Sequence, residues 1–160
     1  MKAPLLAGLL LTGSGLHAQE APVADPMIPV RHGYAFDRPE LLQQQRIFGL
    51  AHGVHLLLSA CHDKNENADA AQRAYASWHE RQREAIGAVR AALAAHHFGA
   101  QAGQAQWQDV ARALGLRETV YPSLGAISLQ EACATLPAAL AQERYDFAAQ
   151  LDTPRDAARE

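Results

Sequence analysis

Arg46-Ile47-Phe48-Gly49-Leu50-Ala51-His52-Gly53-Val54-His55-Leu56-Leu57-Leu58-Ser59-Ala60-Cys61-His62 is the stretch whose reading decides the fold. It is the most apolar run outside the N-terminus, and it holds three of the eight histidines and one of the two cysteines. Wound as a helix at 100° per residue, it separates into three stripes. Ile47, Leu50, Ala51, Val54, Leu58 and Cys61 form a broad apolar face. Gly49, Gly53 and Ala60 form a small-residue stripe flanked by Leu56 and Leu57. Phe48, His52, His55, Ser59 and His62 form the third. A helix apolar on two of three sides belongs among other helices. Each glycine costs it about 1 kcal/mol against alanine, so the pair four residues apart predicts close packing of another backbone. The run is too short and too rich in histidine to span a membrane.

Cys61 recurs to only one other cysteine, Cys133, 72 positions on. In an exported chain such a pair is expected to form a disulfide, which in the chain-entropy model stabilises by roughly 4 kcal/mol. A Cys/His metal site and a reactive thiol are the alternatives. Export itself is read from the first residues. Lys2 supplies a positive start, Leu5–Leu11 a short apolar core, and Thr12-Gly13-Ser14-Gly15-Leu16-His17-Ala18 a small-residue segment ending in a cleavage site after Ala18. Residues 1–18 are therefore expected to be a cleaved signal peptide and the mature chain a soluble periplasmic or secreted protein, with no membrane span. Loss of Lys2 leaves 13 basic against 17 acidic side chains, a net charge of −4. That acidity argues against nucleic acid and anionic membranes as partners, which need a basic footprint.

Outward from the central stretch, Asp37-Arg38-Pro39-Glu40 reads as a helix start, so a first helix is predicted from about Arg38 to His62. Before it, residues 19–37 carry Pro22, Pro26 and Pro29 and are expected to form an extended arm. After a polar turn, a second helix is predicted from Ala68 to Phe98. Ala71, Tyr75, Trp78, Ala85, Ile86, Val89 and Leu93 face inward, Arg73, Glu80, Arg81, Arg83 and Glu84 outward, and Gly99 is the stop. A third helix is expected over Ala102–Leu114. Ser128-Leu129-Gln130-Glu131 opens a last helical region interrupted by Pro137, expected as a kink or as a short helix followed by a longer one from Pro137 to about Leu151, before a tail at 152–160. The economical architecture for residues 38–151 is all-α: an antiparallel four-helix bundle with an extended N-terminal arm, stapled by one disulfide. Antiparallel packing puts Cys61 and Cys133 at the same end.

Chemistry is sparse. In the hairpin of the first two helices, residues whose numbers sum to about 130 lie level, so His79 is level with His52, and His96 and His97 with His32. His52, His55 and His79, together with His62, are the candidate ligands for copper, zinc, nickel or haem, since imidazole suits all of them. No Cys-x-x-Cys-His is present for covalent haem attachment. Residues 63–69 imitate a calcium loop, but Ala68 and Ala74 occupy its essential glycine and glutamate positions. Hydrolase, phosphate-loop and dinucleotide motifs are absent. Tyr121, in the loop 117–127, is the candidate exposed contact for a partner. The function expected first is a binding protein without catalysis, an accessory or inhibitor-like partner of another envelope or secreted protein. Histidine-mediated metal or haem binding comes second and an enzyme of unidentified type third.

Overall fold

Pro39 opens the first long helix, α1 (Pro39–His62), where the missing proline N–H leaves no bond unmade. The computed structural model describes residues 26–62, 66–120 and 124–152. The predicted leader, the first part of the arm, the turn at 63–65, Tyr121 and the tail beyond Asp152 lie outside them. Helices are the only regular structure among the described residues. No helix there is long and apolar enough to cross a membrane.

The second long helix, α2 (Ala68–Phe98), keeps its predicted bounds. It ends where Gly99 turns the chain at φ 56° and donates its N–H to Ala95 O, the reversal that glycine makes cheaply. Ala71, Trp78, Ala85, Val89 and Leu93 are buried along one face, and the arginines and glutamates named above are exposed. The helices α1 and α2 pack as an antiparallel hairpin. Arg38, Leu41 and Gln44 stand beside Ala92, Ala95 and His96 at one end, while Ala51 and His55 stand beside Tyr75, Trp78 and His79 further along.

The rest of the chain is built from shorter pieces than the periodicity predicts. The expected third helix is divided into a 3₁₀ segment, Gly99–Gln104, and α3 (Trp107–Ala113). The division falls where Ala105 is extended and the Asp109 carboxylate accepts the Gln106 N–H at 2.9 Å, starting α3 afresh. The last region is α4 (Leu129–Ala139), a turn with a short 3₁₀ segment at Glu143–Tyr145, and α5 (Phe147–Asp152). Ser128 Oγ caps α4 by accepting Glu131 N–H at 3.1 Å, as its sequence predicts. Pro137 does not start a further helix; it sits inside α4, two residues before its end. The chain is redirected by side chains of α2. Trp78 Nε1 donates to Tyr145 O at 2.9 Å, and Gln82 accepts Ala148 N–H at 3.0 Å.

The expected staple is present: Cys61 and Cys133 are bonded, with Cα atoms 5.7 Å apart and both side chains fully buried. The two cysteines join the end of α1 to the first turns of α4. At the other end of the hairpin, residues 26–37 run without regular structure across the end of α2 and over α3. Val30 and Arg31 donate their N–H groups to His97 O at 2.7 and 3.3 Å, and Gly33 donates to Ala113 O at 2.8 Å. Gln45, fully buried on α1, accepts Ala35 N–H at 2.8 Å and donates to Gly33 O at 3.1 Å.

The glycine stripe corrects the expectation of close backbone packing. Among the described residues, a methyl group placed on Gly53 would meet nothing within 4 Å, and one on Gly49 would meet the Tyr34 hydroxyl at 3.7 Å. Both glycines instead floor a groove between α1 and the chain after α3, with Leu56, Leu57 and Leu116 beside them.

Candidate functional site

Packing decides what each histidine of α1 is able to do. His52 is buried. Its Nδ1 receives the Trp107 Nε1–H at 3.0 Å, and its Nε2 lies 2.8 Å from Arg117 O. An indole N–H only donates and a carbonyl only accepts, so the ring carries its proton on Nε2 and both nitrogens are in use. Phe48 stacks on Trp107 with ring centroids 4.2 Å apart. Phe48, His52 and Trp107 therefore form a fixed aromatic unit that docks α3 onto α1.

His55, one turn on, is exposed. It lines a surface cleft of about 320 Å³ between α1, α2 and α3. Ala51 and His55 form one wall, Tyr75, Trp78 and His79 another, and Trp107 and Gln108 the third. Tyr75 stacks on His79 with centroids 5.5 Å apart and leans on Trp78 at 5.8 Å. Trp78 is itself fixed by its bond to Tyr145 O and by an edge contact with Phe147 at 5.5 Å. Burial holds the Tyr75 phenol above its ordinary pKa, so it remains a neutral donor at physiological pH. The walls are thus preset rings with two imidazoles and one amide at hand.

No family model, curated protein or solved structure matches this chain.

Of the four candidate ligands, the structure brings His55 and His79 to one cleft. It commits His52 to Trp107 and Arg117, and leaves His62 exposed on the last turn of α1, outside the cleft. Among the described residues, no group of three or more histidine, cysteine, aspartate or glutamate side chains is placed to hold a metal ion. His79, expected level with His52, lines the cleft with Ala51 and His55 instead, and His52 is not among its walls. Trp107, whose three- and four-residue spacing from Val110, Ala111 and Leu114 suits a core stripe, is brought to the site only by packing. Its half-exposed ring and spent N–H make it a wall of the cleft. Gln45 and Gln82, both buried and both clamping backbone, carried no signal, since glutamine at a helix position is unremarkable until its neighbours are known.

Proposed function

We propose that this chain is an exported helical protein that acts by binding a protein partner, as an accessory or inhibitor-like component of another envelope or secreted protein. The α1–α2–α3 cleft takes one apolar or aromatic side chain of that partner. The observation that supports this reading is the fixation of the cleft's rings. Trp107 is held by His52 and Phe48, and Trp78 by Tyr145 and Phe147, so little ordering entropy is left to lose on binding. Concave, mostly apolar clefts with a few polar groups are the usual form of such sites, and aromatic pockets are where binding energy concentrates. The disulfide supports an oxidising compartment.

A photoreactive phenylalanine at Gln108 tests the proposal in cells of the native source. A discrete adduct from this position, and none from the same probe at Arg83 on the exposed face of α2, is the expected result. Equal labelling from both positions, or none at Gln108, sinks it.

A second reading rests on His55 and His79 lining the same cleft: a two-imidazole site for copper, zinc or nickel. Titration of these ions, with haem in parallel, into wild type and a His55→Ala/His79→Ala double variant separates the two readings. Affinity no tighter than about 10 μM, or equal binding by the variant, removes the metal.

A further inference from the structure

His97 lies at the far end of the hairpin from the disulfide and takes no part in the cleft. Its side chain is fully buried. Nδ1 lies 2.8 Å from Arg31 O, and because a carbonyl accepts only, Nδ1 carries the proton. Nε2 is also buried and has no hydrogen-bond partner among the described residues. The same residue's backbone carbonyl receives Val30 N–H and Arg31 N–H, and the neighbouring His96 carbonyl receives the Arg31 guanidinium at 3.0 Å. One turn of helix thus grips the strap at residues 30–31 by ring, backbone and guanidinium together.

We infer that residues 28–32 form a strap released by acid, with the neutral side chain of His97 as its catch.

A second proton has only Nε2 to go to. It would create a buried imidazolium whose new N–H points at no acceptor among the described residues, at a cost that buried unpaired charge always carries. The groups facing it add to that cost. From the strap these are Arg31 and His32, and from α2 itself His96, whose ring centroid lies 4.8 Å away. The one carboxylate in this set, Asp37, acts on His96 and is opposed there by Arg31 and Arg38. Burial first, with the charges of His32 and Arg31 behind it, holds His97 below the ordinary histidine pKa of 6.5, outweighing the bond to Arg31 O, which acts the other way. Burial, and then His97 itself, lower His96 in the same direction. A lowered histidine binds fewer protons folded than unfolded. Its contribution is therefore intact above about pH 6.5 and is lost as pH falls through the folded value.

The strap has little else to hold it at its centre. Ile28 and Val30 are 83% and 66% exposed, so burial of apolar surface contributes little there. Further along, Tyr34 and Ala35 pack on the core and Gln45 clamps Gly33 and Ala35. On the other side Met27 packs on the core and donates its N–H to Asp109 Oδ1 at 3.3 Å, so release is confined to residues 28–32 and α1 keeps its entry.

Amide hydrogen exchange on the full chain, corrected for the intrinsic pH dependence of exchange, reads the catch directly. Protection at Val30 and Arg31 is expected to fall about tenfold or more between about pH 7.5 and pH 5, while Ala51 in mid-α1 is unchanged. His97→Asn supplies a side-chain N–H for Arg31 O but takes no proton, and its strap is expected to stay protected across the range. Flat wild-type protection, or an equal fall in His97→Asn, overturns the inference. Should His97→Asn not fold, the His97 ring resonance of wild type, followed by NMR, decides. Titration in step with loss of strap protection supports the catch, and titration without it refutes it.

Discussion

The two ends of the α1–α2 hairpin are closed in opposite ways. At one end, Cys61 and Cys133 close the molecule with a covalent bond between two fully buried side chains. At the other, a strap without regular structure is held by hydrogen bonds to His96, His97, Gln45 and Ala113. The first closure responds to redox conditions and ignores pH; the second does the reverse. Buried polar residues tell the same story on a smaller scale. His52 has both ring nitrogens paired and serves as a fixed joint, whereas His97 has one without a partner among the described residues and is poised to respond to acid. Burial alone does not fix what a histidine does; the number of satisfied nitrogens does.

The contrast is broken most forcefully at the stapled end. A Cys61→Ser/Cys133→Ser variant is expected to lose about 4 kcal/mol in urea unfolding, with strap protection at neutral pH unchanged. Loss of strap protection in that variant shows the ends to be coupled. Next comes Gln45→Ala, which leaves the Ala35 N–H and the Gly33 carbonyl without their partner and is expected to cost about 2 kcal/mol. That loss belongs to the strapped end, so reducing agent adds its own effect in full. Gly53→Ala acts on the span between the ends. With no described residue within 4 Å of the new methyl, it is expected to raise stability by up to about 1 kcal/mol in thermal melts, and a loss reveals packing against Gly53 from outside the described residues. The smallest effect on global unfolding is that of pH, because only part of the strap depends on it. The urea midpoint is expected to fall as pH drops below about 6.5, the direction set by the lowered His96 and His97. A midpoint that rises on acidification reverses the sign and ends the comparison.

Much of the scaffold was legible in residue order because its causes are local. The bounds of α2, the cap at Ser128, the stop at Gly99 and the polar outer face of α2 follow from 3.6-residue spacing and from backbone groups that need partners within a turn. The disulfide was legible because a chain with two cysteines has one possible pairing. The break-up of the last helices was not, since Trp78 and Gln82 redirect that segment from more than sixty residues away. Nor was the glycine stripe, which sequence reads as a packing surface and the structure leaves as the floor of a groove.

The sequence by itself determined that the chain is helical, where the two long helices run and which cysteines join, because helix periodicity and covalent pairing are properties of the chain. Only the tertiary structure decided which histidines are joints, which face a cleft and which is a catch. Those roles depend on whether Trp107, Arg117, Tyr75 or Arg31 arrives at a given ring nitrogen or ring face, and these contacts are made by parts of the chain that spacing along one helix does not relate.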